Sequence, residues 1–184
     1  MSNSVINVGN YINYFRSLAV SHYQLQHNPA SETGDGPISS KHFARWSAEE
    51  VVTGLKTEVS WPALLLEMFD VNTGGEAIYD IKGNYKGAFS ILQHATPEDT
   101  QSEVEAFELT EGIMYDLLKK IYQDHYGNNV DRNTAPFRFF NFNEMSIMPL
   151  SGMFENEFGF RVEFSFEFRE NQNITVAPEE GVFI

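Results

Sequence analysis

Histidine is the side chain best suited to metal binding and proton transfer near neutral pH, and this chain has five: His22, His27, His42, His94 and His125. No two of them share a close spacing with a carboxylate, as an HExxH helix would require, and His22 and His27 are five apart, so on a helix they do not face the same way. They read as core or surface histidines. The lack of cysteine removes disulfides, thiolate metal sites and cysteine nucleophiles. A GxSxG elbow, a Walker phosphate loop and a GxGxxG turn after a strand are also missing. Gly83-Asn84-Tyr85-Lys86-Gly87 has the glycines but opens no helix, which fits a bend or bulge better than a phosphate cradle. Carboxylates adjoin at Glu49/Glu50, Glu98/Asp99 and Glu179/Glu180, each in a polar stretch or at a helix start, where capping and solvation account for them. The sequence therefore offers no catalytic residue, no metal site and no cofactor site, and an enzyme would need a pocket that nothing here predicts.

Chemistry absent, the elements must account for the chain. Residues 158–169, FGFRVEFSFEFR, alternate without error: Phe158, Phe160, Val162, Phe164, Phe166 and Phe168 against Gly159, Arg161, Glu163, Ser165, Glu167 and Arg169. In a strand that puts an aromatic face on one side and charges on the other. At ~3.4 Å per residue it would run roughly 40 Å, long for a strand, and suits an extended hairpin. The polar face, Arg161, Glu163, Glu167 and Arg169, admits two readings: a solvated face with cross-strand ion pairs, or self-complementary contacts between copies in a ring.

Residues 8–27 carry apolar side chains at three-and-four spacing and predict a helix ended by Asn28-Pro29. Residues 28–41 read as an exposed, mobile loop. Ser47 to Glu50 fits a capping box for a short helix to about Gly54, with His42, Phe43 and Trp46 stapling that turn. Residues 59–71, VSWPALLLEMFDV, predict one strand, buried on both faces or entering from an edge because Pro62 stands near its start, turning at Asn72-Thr73-Gly74-Gly75 into a return strand over 78–93 with Gly83 and Gly87 at a bend, bulge or close approach. A second capping box, Thr100 to Glu103, opens the longest helix, to about Tyr126 with Gly127 as its stop. Its stripe is Val104, Phe107, Thr110, Glu111, Met114, Leu117, Leu118, Ile121 and His125, the expected cover for the phenylalanine face. A strand over 136–148, a turn at Pro149-Leu150-Ser151-Gly152 and the strand over 158–169 complete a second hairpin. The expected fold is α+β: a mainly antiparallel sheet of two long hairpins packed on a long helix, with an N-terminal helix. Residues 1–170 form one domain, 28–58 being an insertion, and 171–184 a C-terminal extension whose apolar tip, Val182, Phe183 and Ile184, would dock on something.

Twelve basic against twenty-six acidic residues give a net charge of −14, which opposes nucleic-acid binding by phosphate neutralisation. Such a surface keeps a Phe-rich protein soluble, or lines a passage through which DNA slides without sticking. Phe137, Phe139, Phe140 and Phe142 have only Arg132 and Arg138 as basic company, so a core or subunit contact is favoured over base stacking. The start, MSNSVINVGNYINYF, lacks the pattern of a signal peptide and no apolar run has the length of a membrane span, so a protein made in a cytoplasm with no membrane partner is expected.

The order helix, hairpin, helix, hairpin resembles the small neck proteins of tailed bacteriophages, most of all the tail terminators. The likeness rests on Ser60-Trp61-Pro62-Ala63-Leu64-Leu65-Leu66-Glu67, on Lys86-Gly87-Ala88-Phe89 and on NEFGFRVEFSF from Asn156 to Phe166. It covers roughly residues 8–170, and is a likeness of layout more than of a sharp motif. The resemblance implies a virion protein without catalytic residues: a ring, commonly sixfold, that caps the tail tube and joins it to the head connector, with DNA as passing cargo. It also implies that the polar face of residues 158–169 and the hairpin tips lie at subunit or tube contacts. Head-closure and tail-completion proteins share parts of this layout, and an assembly module of a contractile injection system is the alternative.

Overall fold

The computed structural model describes residues 8–46, 59–74, 82–126, 140–153 and 156–169. The short helix expected after Ser47, the turn at Gly75, the helix stop at Gly127, the strand start before Phe140 and residues 170–184, with Val182, Phe183 and Ile184, lie outside them.

The chain is α+β. Helix α1 (Val8–Ser21) is followed by strands β1 (Phe43–Trp46), β2 (Ala63–Glu67), β3 (Asp70–Gly74) and β4 (Lys82–His94), helix α2 (Thr100–Tyr126) and strands β5 (Phe140–Met153) and β6 (Glu157–Arg169). These form one sheet in the order β1-β2-β4-β6-β5, with β3 also paired to β4. Only β1–β2 is parallel among the described pairs. The two hairpins on either side of the long helix are thus present, and they join through β4 and β6, which pair without a slip from Lys82↔Arg169 to His94↔Glu157.

The phenylalanine face of β6 is the centre of the core. Phe164 and Phe166 are buried; Phe166 stacks on Tyr85 of β4 at 5.0 Å and 11°, and Phe164 on Phe140 of β5 at 5.0 Å and 19°. The expected cover, α2 alone, is corrected. Phe15 and Tyr11 of α1 lie over Phe164 and Phe166, at 5.6 and 6.2 Å, while Phe107 of α2 takes Phe158 and Phe160 edge-on. The apolar row of β6 is shared along its length, α2 covering the 158–160 end and α1 the 164–166 end. The buried stripe of α2 is Ala106, Thr110, Ile113, Met114, Leu117, Leu118, Ile121 and His125, whereas Val104 and Glu111 are exposed. The helices are tied by Tyr14 donating to Asp124 at 3.1 Å.

Several boundaries differ from the sequence reading for local reasons. Helix α1 stops at Ser21, because Gln26 takes φ 45° and the chain reverses, with the His27 amide donating to the Ala19 carbonyl. Residues 28–41 are largely exposed, as expected, and carry local structure: Asn28 caps a 3-10 turn over Pro29–Glu32, a second turn spans Ile38–Ser40, and Ser31 is buried. Phe43 begins β1 and is itself core. Asp99, rather than Thr100, caps α2, its carboxylate accepting from the amides of Gln101 and Ser102. The expected turn at 149–152 is strand instead. Pro149 is tolerated because β5 is an edge strand in the described sheet, and Gly152 at φ 66° sits where the register slips between Leu150 and Met153.

The single strand expected over 59–71 divides into β2 and β3. Leu66 lies opposite Phe89 and Asp70 opposite Lys86, so Glu67, Met68 and Phe69 face only Gly87 and Ala88. That is a β-bulge, and it sits in this strand rather than at the glycines of β4. Gly87 serves the close approach: a Cβ there would lie 2.7 Å from the Tyr11 hydroxyl and 2.9 Å from the Phe164 ring. Gly87→Ala is therefore expected to destabilise the fold by roughly 1–3 kcal/mol through overpacking. Gly112→Ala, where an added Cβ meets nothing within 4 Å, should stabilise α2 by about 0.5–1 kcal/mol. Urea midpoints moving in opposite directions for the two variants would bear this out.

Candidate functional site

The bulge determines what the polar face of the sheet presents. An extra residue puts Glu67 and Met68 on the same side and returns Phe69 to the core, against Tyr11, Tyr85 and Phe166. The Glu67 carbonyl accepts from the Tyr11 hydroxyl at 2.9 Å, so a bulge carbonyl is satisfied through the space left by Gly87.

On the polar side, the Glu67 carboxylate is held by Arg161 of β6 in a two-pronged ion pair, Nε to Oε1 at 2.6 Å and Nη2 to Oε2 at 2.8 Å. Strand β4 lies between them. Arg161 spans it because its neighbours there are short: Ser90 faces Arg161 and Ala88 faces Glu163. The remaining Nη1 of Arg161 donates to Glu163. Glu67, then burial acting in the opposite sense, then Glu163 decide the guanidinium's proton affinity, and the net effect raises it.

Beside this bridge β5 departs from the ladder. Asn141 faces Ser165 and Ser146 faces Glu163, so residues 142–145 stand opposite Phe164 alone. The excursion brings Glu144 to Ser165, whose hydroxyl donates to it at 2.6 Å. The result is an open depression of about 550 Å³ whose charged lining is Glu67, Asp70, Lys86, Glu144, Arg161 and Glu163. Four carboxylates against two cations leave it acidic, and its charge suits a cationic group on a neighbour. Two of the carboxylates and one cation are already bound to each other.

Arg161 and Glu163 thus share the predicted polar face. Glu167 and Arg169 continue the same strand, opposite Asn84 and Lys82, and their side chains lie outside the described residues. Glu67 and Lys86 entered the sequence reading only as members of longer stretches, among them those that carry the resemblance, and Asp70 and Glu144 were not singled out as site residues. The one available signal was a lone glutamate ending an otherwise apolar LLLE run.

None of the five histidines lines the depression. His27 Nδ1 accepts the His42 amide at 3.2 Å and its Nε2 meets Glu32 at 2.8 Å. Glu32 also receives Arg16 on both oxygens. Burial alone would raise the Glu32 carboxyl, but the hydrogen bonds and charges of Arg16 and His27 prevail and lower it. His42 bonds the Pro62 carbonyl and His94 the buried Glu157. No group of three or more potential metal ligands occurs among the described residues. No protein-family model, curated protein or solved structure matches the chain.

Two outcomes are expected. A double-mutant cycle on Glu67→Ala and Arg161→Ala should give a coupling of roughly 1 kcal/mol, at the upper end for such half-buried pairs; additive losses would show that the bridge contributes nothing. His22 and His125, between the helices, are both held below the usual imidazole value by burial, despite Asp116 beside the first and the Ile121 carbonyl and Asp124 beside the second. The unfolded chain then takes up protons first, so stability is full above about pH 7 and declines as pH falls through about 6.5 and below. Urea midpoints at graded pH should show this slope, and a flat profile would contradict it.

Proposed function

We propose that this chain is a non-enzymatic structural subunit of a ring, of the tail-terminator or neck class of tailed bacteriophages, joining a tail tube to a head connector. The observation that supports it best is the two-sided sheet. One face is sealed by both helices over the phenylalanines, and the other presents the acidic depression around the Arg161 bridge. A subunit whose polar face must meet copies of itself, or a lumen through which DNA passes, needs that division. The net charge of −14 fits a lumen that repels a passing polyanion.

Copies would meet chiefly through side chains. The edge strand β5 is a poor template for strand addition, since Pro149 withdraws a donor and its backbone leaves register at 142–145 and again before Met153. Glu163, exposed at the mouth of the depression, is a natural contact.

Electron microscopy and mass photometry of the purified chain, alone and mixed with a tail-tube protein, test this. Closed rings with a central lumen are expected, and Glu163→Arg should prevent them while the chain, though it loses the contact to Arg161, stays folded. Monomers under both conditions would overturn the reading.

A further inference from the structure

The outward side of α2 carries a second feature. Tyr115, Tyr122 and Tyr126 are 55%, 54% and 45% exposed. With Lys119 they follow one another at steps of four, three and four, so they form one line along the helix, about 16 Å long. Large aromatics are not left on a surface in a row without reason.

The line is preformed. Tyr122 stacks on Tyr126 at 5.4 Å and 27°. Both meet Phe142 edge-on, at 5.5 and 5.8 Å. The Tyr126 hydroxyl donates to the Phe140 carbonyl. A partner would therefore pay little to order it. Lys120 is engaged by Asp124, whereas Lys119 has no acidic partner among the described residues.

We propose that this stripe is the docking site for residues 174–184 of the same chain. Three observations select that occupant. First, β6 brings the chain there: Phe166 pairs with Phe140, to which Tyr126 is anchored, and Arg169 lies only three residues further on. Second, the residues after 169 number fifteen in the sequence, more than enough to run the length of the stripe. Third, the chemistry is complementary in order. Starting from its Tyr126 end, the stripe reads aromatic pair, cation, aromatic. The segment reads Ile174 and Val176, then Glu179 and Glu180, then Val182 and Phe183. A run from Val176 to Val182 can reach up to roughly 20 Å, enough for the length of the stripe. Docked in this order, its apolar groups would meet Tyr126 and Tyr122, its carboxylates Lys119, and Val182 and Phe183 Tyr115.

Hydroxyl-radical footprinting of the full chain at high dilution reads this directly and does not depend on ring formation. Tyr115 and Tyr122 should be oxidised several-fold faster in Phe183→Asp and in Lys119→Glu than in the wild type, with Tyr23, 67% exposed beyond α1, unchanged as a control. Combining Lys119→Glu with Glu179→Lys and Glu180→Lys should restore the protection. Equal reactivity in the wild type and Phe183→Asp, or failure of the charge reversal to rescue, would overturn the assignment. Protection that grows with protein concentration would assign the stripe to another copy and overturn it too.

Discussion

The structure depends on how one aromatic face is kept from water. Phe164 and Phe166 of β6 stack with Tyr85 and Phe140 in the plane of the sheet and with Phe15 and Tyr11 above it. Each such ring buries a large apolar area and adds a geometric preference of about 0.5–1.5 kcal/mol per pair. Rings packed this way fix their neighbours, so the glycine at 87 and the bulge opposite it follow as consequences. Were Gly87 any other residue, the Tyr11 hydroxyl could not reach the Glu67 carbonyl without moving the Phe164 ring.

The same bulge links core to surface. By adding one residue it returns Phe69 to the helices and leaves the Glu67 side chain on the other face, within reach of Arg161 across the small side chains of Ala88 and Ser90. The polar side of the sheet is therefore organised by a constraint that originates in the core. Within the chain the Arg161 donors are committed to Glu67 and Glu163.

Elements with an unbroken period were legible in the sequence. The alternation over 158–169 gave β6 and its two faces, the long helix over Thr100–Tyr126 is present as read, and the hairpin–helix–hairpin order gave the α+β class. What failed was whatever depends on contacts between distant segments. A bulge cannot be seen in VSWPALLLEMFDV, because the extra residue is defined only against β4. Pro149 and Gly152 look like a turn and are strand, because nothing in their sequence says that β5 lies at an edge. The role of α1 was missed for the same reason, its Tyr11 and Phe15 being ordinary amphipathic positions until β6 is placed beneath them. Of the polar site, Arg161 and Glu163 could be read from alternation, while Glu67 and Glu144 arrive through the two strand irregularities.

Native-state hydrogen exchange tests most directly whether the phenylalanine face is sealed jointly by the two helices. If it is, the slowest amides of α1, α2, β4 and β6 exchange with one free energy, that of global unfolding, and respond together to denaturant. Amides of α1 that open at distinctly lower free energy, while those of α2 and β6 stay protected, would show that one helix suffices and that the shared cover is not what holds the fold.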